Sequence, residues 1–284
     1  MILNEKQTKK LIPFAGGKGG TGTTTITANI ALELAANEKD TVVIDLDLGG
    51  SNLHTALGVK NTNRGIGNFL TSPEVDFQSI IASTPFERLR LIPGDVLVPG
   101  LEQADPGRVG ELYDAITALD ADYLLLDVGS GSGANLDSFL LSDSGLVVMD
   151  SSKTSVLNTY RFFKNLVYRI LRIAFSGNTE AADLLEGAFR GKDPGSFTRM
   201  GAVLKEMEDL DGSAAGEARK QLATLQPKLI LNDARTPDEL DTVQKLAGLV
   251  RRDFEIEVEC MGLIYHDDAM DEALELGEPF MLVG

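Results

Sequence analysis

The segment Gly16-Gly17-Lys18-Gly19-Gly20-Thr21-Gly22-Thr23-Thr24-Thr25 constrains the fold more than any other stretch of the 284-residue chain. Closely spaced glycines let successive backbone N–H groups turn inward around phosphate oxygens, and a helix starting just after them adds its positive end. From Gly17 to Thr24 the spacing fits the phosphate-loop pattern G-x-x-x-x-G-K-[ST], except that Thr23 stands where lysine belongs. Thr24 supplies the hydroxyl expected on Mg²⁺. The missing lysine would have reached the β- and γ-phosphates, where charge builds up during transfer. One decapeptide thus announces a nucleotide site and questions its competence.

Such a loop works only between a strand and a helix. The apolar run Leu11–Ala15 reads as the strand and the alanine-rich Thr24–Ala36 as the helix. Pro13 inside that strand removes one ladder donor, which predicts a local irregularity. Further strands are expected at Thr41–Leu46, Arg90–Ile92, Tyr123–Val128, Gly145–Met149, Lys228–Leu231 and Val258–Ile264, and helices at Pro106–Leu119, Ser155–Phe175, Pro237–Arg252 and Asp268–Leu276. Several strands are apolar on both faces. This alternation predicts an α/β fold: a doubly wound, mostly parallel sheet with helices on both faces. Residues 176–226 differ, with Gly177, Gly187, Gly191, Gly195, Gly201, Gly212 and Gly216 between short helical pieces. They read as a helical insertion, mobile around Asp209–Gly216, within a single domain spanning 1–284.

Two strand ends carry carboxylates. Val42-Val43-Ile44-Asp45-Leu46-Asp47 is an apolar strand closing on two acids, and ligands in open α/β sheets bind at such C-terminal ends. Asp47 is placed to orient water or metal; helix capping is the other role open to it, and more so to Asp45. Tyr123-Leu124-Leu125-Leu126-Asp127 has the form of a Walker B strand, whose aspartate holds the Mg²⁺ shell.

Charge and cysteine usage then prune the functions. A formal net charge of −17 disfavours a broad nucleic-acid surface. Cys260 is the only cysteine, so one chain offers no cysteine-rich metal or iron–sulfur site, and a small buried strand residue is expected. His54 and His266 lack ligand-spaced partners and read as structural. No apolar run suggests a membrane span and the polar N-terminus is not signal-like, so the chain is expected in the cytoplasm.

Taken in order, these residues resemble the MinD/ParA ATPases and their deviant Walker A motif, marked by an early lysine, here Lys18. The likeness continues through the switch I-like stretch Asp45-Leu46-Asp47-Leu48-Gly49-Gly50-Ser51-Asn52-Leu53, then Leu91-Ile92-Pro93-Gly94. It resumes at the Walker B/switch II turn Asp127-Val128-Gly129-Ser130-Gly131 and closes with Gly262–Asp268 and Gly277-Glu278-Pro279-Phe280. The MinD/FlhG-like branch, which positions flagella or division sites, is the most similar. The resemblance implies an ATP/ADP and Mg²⁺ site on Gly17, Lys18, Gly19, Gly20, Thr21, Gly22, Thr23, Thr24 and Thr25. Lys18 would cross an ATP-sandwiched homodimer to touch the partner's phosphates, and Asp47 would polarise the attacking water. Thr24, Asp47 and Asp127 would serve the metal, and Asn232, following the strand 228–231, would recognise adenine.

Three departures bear on activity. Thr23 is neutral and short, a loss on the order of several kcal/mol at a preorganised phosphate site. The turn after Asp127 is a glycine-rich variant, so the family's switch II geometry does not carry over to it. The chain stops at Gly284, where membrane-binding relatives continue into a basic amphipathic tail, so peripheral inner-membrane contact is an extension without its usual tail. A different candidate contact is Thr154–Phe175, with Arg161, Lys164, Arg169 and Arg172 among Tyr160, Phe162, Phe163, Tyr168 and Phe175. A basic aromatic helix over 155–175 can receive a regulatory partner or lie on an anionic membrane; a sheet-covering helix with a basic outer side is the plainer alternative. The expected function is an ATP-dependent dimerising switch controlling spatial positioning through partners. A partner-binding pseudo-ATPase is the alternative that Thr23 raises.

Overall fold

The computed structural model describes residues 9–48, 50–59, 64–94, 105–130, 134–190, 199–276 and 278–283. Gly49, Gly131, Gly191, Gly195, Gly277 and Gly284 lie outside the described residues. The fold is α/β, with eight strands of mostly parallel sheet among the described residues. Its contacts cluster into two compact units, one of residues 1–15, 22–129 and 267–284, the other of 16–21 and 130–266.

In the first unit the strand order is β3 (Ala82–Ser83), β4 (Leu89–Ile92), β2 (Thr41–Asp45), β5 (Tyr123–Ser130) and β1 (Lys10–Gly16). The β2–β4 and β2–β5 pairs are parallel, the latter in the register Asp45↔Asp127, and the short β3 is antiparallel. Val42, Val43, Ile44, Leu124, Leu125 and Leu126 are fully buried, as central strands covered on both faces require. Helix α1 (Thr23–Ala36) contributes Ile26, Ala28, Ala31, Leu32 and Ala35 to this core. Each large apolar side chain buried this way stabilises by about 1.5–3 kcal/mol. β1 runs unbroken through Pro13, contrary to the expected irregularity, because the fixed φ of proline lies within the extended region. The short helices α2 (Leu53–Ala56) and α3 (Ile66–Thr71) precede α4 (Pro106–Ala118). Arg108 at the start of α4 lies 3.9 Å over the Phe69 ring and donates to the Phe69 carbonyl at 2.6 Å, fixing α3. Helices α11 (Ala269–Leu276) and α12 (Phe280–Val283) return to α1, where Asn29 Oδ1 accepts from the Met281 N–H at 3.1 Å.

The second unit holds β6 (Leu146–Met149), β7 (Lys228–Ala234) and β8 (Glu259–Tyr265), all parallel, with register shifts between β7 and β8. Cys260, on this last strand, is half-buried rather than buried. After α5 (Ala134–Phe139), the 22-residue α6 (Lys153–Ala174) is the organising helix, capped by the Ser152 hydroxyl accepting from the Ser155 N–H. Its inner face presents Tyr160, Phe162, Phe163, Leu166, Val167, Ile170 and Leu171. The insertion is helical as expected: α7 (Thr179–Phe189), α8 (Met200–Leu210) and α9 (Gly212–Thr224), with α7 and α9 packed on α6. Around 209–216 the expected break is a one-residue joint, because the Asp211 carboxylate accepts from the Ser213 and Ala214 N–H groups and starts α9 at once. The 3₁₀ turn Pro237–Glu239 leads into α10 (Leu240–Phe254), whose Phe254 ring sits 5.1 Å from Tyr160.

Candidate functional site

The phosphate-loop sequence ends in the strand-to-helix start that its glycines predict. Gly20 and Gly22 take the left-handed φ values of 80° and 86° that favour glycine. Gly22 is the residue before α1, and the first bond of that helix runs from the Ile26 N–H to the Gly22 carbonyl. The N–H groups of Thr23, Thr24 and Thr25 therefore point out of its N-terminus, the arrangement that favours an anion. Thr23, at the lysine position, is buried at the first helical residue.

In the first unit the carboxylate strand ends gather. Asp127 is fully buried on β5, and neither of its oxygens meets a donor at hydrogen-bond geometry. Burial above all, then the charges of Asp45 and Asp47, push its pKa up to about 7; the Thr24 hydroxyl and Gly129 N–H face it and hold it down without closing a hydrogen bond. Asp45 is also fully buried but well supplied. It accepts from the Ser51 hydroxyl at 2.7 Å, the Leu53 N–H at 3.1 Å and the Asp47 N–H at 3.2 Å. Burial still raises its pKa, against those three donors. Asp47 is half-buried, and Gly129 makes room for it: at φ +66°, a Cβ there would fall 2.4 Å from the Asp47 carboxyl carbon. Glycine at 129 is thus required twice, by backbone and by neighbour.

In the second unit, Gly17 approaches α6 so closely that a Cβ would lie 2.5 Å from the Thr159 nitrogen. Lys18 pairs with Asp150 at 2.8 Å, both side chains largely covered. Burial raises the Asp150 pKa, but hydrogen bonds from Lys18 and Ser152 outweigh it, and the net direction is down. Asn232 lies within β7, not after it, and its amide donates to the Thr21 carbonyl at 3.0 Å. That bond tethers the loop. Asp150 escaped the sequence reading, although a carboxylate just past a buried strand is the signal that found Asp47 and Asp127.

α6 answers to the plainer of its two expected roles. Tyr160, Phe162, Phe163 and Phe175 are buried, Lys164 is only 8% exposed, and Arg169 forms a bidentate pair with Asp137. The aromatic face is core, so α6 is a sheet-covering helix and does not present that face to a membrane.

A divalent cation fits the first-unit residues. Two orphaned oxygens on a desolvated carboxylate beside a hydroxyl are what a cation would satisfy. Among the described residues no three Asp, Glu, His or Cys groups form a cage of their own. A hydroxyl and carboxylates with waters and phosphates completing the shell suit Mg²⁺.

The model of the CobQ/CobB/MinD/ParA nucleotide binding domain matches residues 12–280. The chain belongs to this family. A flagellum site-determining protein of Helicobacter pylori is 32% identical over 171 residues, 57% of this chain and 55% of that protein. An ATP-binding protein of Methanocaldococcus jannaschii is 31% identical over 147 residues, 52% and 54% of the two chains. The chain thus spans about half the length of these curated relatives. The solved septum site-determining protein MinD of Pyrococcus horikoshii, complexed with Mg-ADP, has the same fold: TM-score 0.64 and 21% identity, over 97% of this chain and 89% of that one. Among the described residues no helix is long and apolar enough to cross a membrane.

Proposed function

We propose that this protein is an ATP-binding switch of the MinD/ParA type, which dimerises with ATP and positions a flagellum or division site through protein partners. The observation that carries this reading is Asp127, a buried carboxylate with both oxygens unpartnered, facing Thr24 at the start of the loop helix. Such a group is costly to fold and is supported when a cation satisfies it. Thr24, Asp127 and Asp47 would hold Mg²⁺, which would neutralise phosphate charge when bound. The N–H groups of Gly17 to Thr25 would hold the phosphates, Asp47 would polarise a water, and Asn232 would meet adenine while tethering Thr21. Lys18 must leave Asp150 before it can reach across a dimer, so that pair would favour the resting monomer. A regulatory partner would meet α6 at its exposed Arg172 and Ile173. Calorimetric titration with Mg-ATP and Mg-ADP, paired with sizing, is the test; neither binding nor nucleotide-dependent dimerisation would sink the proposal.

Thr23 favours a second reading, a pseudo-ATPase that binds nucleotide and partners without turnover. Thr23→Lys separates the two: a gain of about 100-fold or more in hydrolysis is expected if turnover is crippled by the missing charge. Equal rates for the native protein and the variant would dismiss the pseudoenzyme.

A further inference from the structure

Outside the loop and carboxylates, the second unit contains a pocket of about 360 Å³ lined by Arg161, Lys164, Asn165 and Tyr168 of α6 with Glu186 and Phe189 of α7 and the adjacent Arg190. We propose that it binds a small planar anion, an aromatic or heterocyclic phosphate ester.

Charge is the first argument. Among the described residues the lining holds three cations (Arg161, Lys164, Arg190) against one carboxylate, Glu186, in a chain of net charge −17. Glu186 is spent loosely on Arg190, at 3.8 Å. Lys164 is the unusual member, because lysine is almost never buried at 8% exposure. Its ammonium lies 5.9 Å from the Phe189 ring centre. Burial and the neighbouring charge of Arg161 lower its pKa.

Shape is the second. Tyr168 and Phe189 are half-buried with ring centroids 5.1 Å apart at 56°, giving an apolar wall beside two guanidinium groups. Guanidinium planes bind phosphate through paired N–H donors and also stack on rings, and the Asn165 amide adds a neutral donor and acceptor. The volume falls within the range of small-ligand sites, about 300–1,000 Å³. Because α7 belongs to the insertion, the pocket exists only where that insertion packs on α6.

The chain has no tryptophan, so Phe189→Trp installs a single reporter inside the pocket. Titration with phenyl phosphate and guanosine monophosphate should give saturable changes in its emission. Inorganic phosphate, lacking a ring, and guanosine, lacking charge, should give none at the same concentrations. Adding Lys164→Gln, or the exposed Arg161→Gln should Lys164→Gln fail to fold, should weaken binding by about tenfold. No saturable change at millimolar probe, or equal binding by the charge-removed variants, would overturn the proposal. Saturation by a glutamate-rich peptide but by neither phosphate ester would overturn it too, making the pocket a protein-docking face.

Discussion

Asp127 in the first unit and Asp253 in the second are both buried carboxylates, yet their chemistry runs in opposite directions. Asp253, 3% exposed, accepts from the Tyr160 hydroxyl at 2.8 Å and from Arg252 through both oxygens at 2.7 and 2.9 Å. Burial pushes its pKa up, but the Arg252 and Tyr160 hydrogen bonds outweigh it and the pKa falls. Asp127 is buried no less and has no such partners, and its pKa rises to about 7. Burial alone therefore does not mark a site. A buried charge whose partners are supplied is architecture; one left without them carries the cost of its burial uncompensated.

The largest test of that contrast is Asp127→Asn. The carboxyl of Asp127 moves from an ordinary 3.8 to about 7 on folding, so its ionisation opposes folding increasingly as pH rises between those values. At pH 8 this amounts to about 4 kcal/mol, and at pH 5 to less than half of that. Denaturant unfolding should show Asp127→Asn stabilised more at pH 8 than at pH 5. Mg-ADP should raise the melting temperature of the native protein and not of the variant; a stabilised variant that still responds to Mg-ADP would break the link between the orphaned carboxylate and the metal.

Asp253→Asn should do the reverse, costing about 2 kcal/mol at pH 7 by leaving Arg252 and Tyr160 with one poorer acceptor. Because the Asp253 pKa is lowered, its contribution exists above the ordinary carboxylate range and is lost as pH falls, so native and variant stabilities should converge toward pH 3. Convergence at high pH instead would reverse the assignment. Tyr160→Phe is the smallest change, about 1 kcal/mol, since Arg252 still serves the carboxylate. Thermal melts resolve it, and a loss matching that of Asp253→Asn would mean the hydroxyl, not the guanidinium, dominates.

What the chain's sequence makes legible follows from distance along it. The glycine loop, the long helices and the buried strands are local patterns, so most of their ends are read within a residue or two; β7 runs three residues further, to Ala234, and α10 starts three later, at Leu240, after a 3₁₀ turn. Thr24 and Asp127 were legible because a phosphate loop and an apolar strand ending in aspartate are each contiguous. The Lys18–Asp150 pair, the Asn232 tether on Thr21 and the three bonds to Asp45 depend on folding or on loop shape that no local pattern encodes. The short helices α2 and α3 escaped for a related reason. They are too short to hold themselves in water and stand on tertiary contacts, as where the Ile66 N–H donates to the Pro93 carbonyl and Arg108 covers Phe69. α6 was found in place, but its aromatic stripe reads alike as core or as docking face until its neighbours are known.

Asp45 has a consequence for what mutation can reach. Its one oxygen accepts from the Ser51 hydroxyl and the Leu53 N–H, while the other accepts from the Asp47 N–H, so Asp47, Ser51 and Leu53 all hang from a single side chain. Asparagine would put an NH₂ group against one of those donors, glutamate is too long for the space, and alanine leaves every donor stranded. No single substitution at position 45 offers a gradual path to another residue. Asp47, Ser51 and Leu53 thus take their places from one side chain, and that side chain is fixed by geometry.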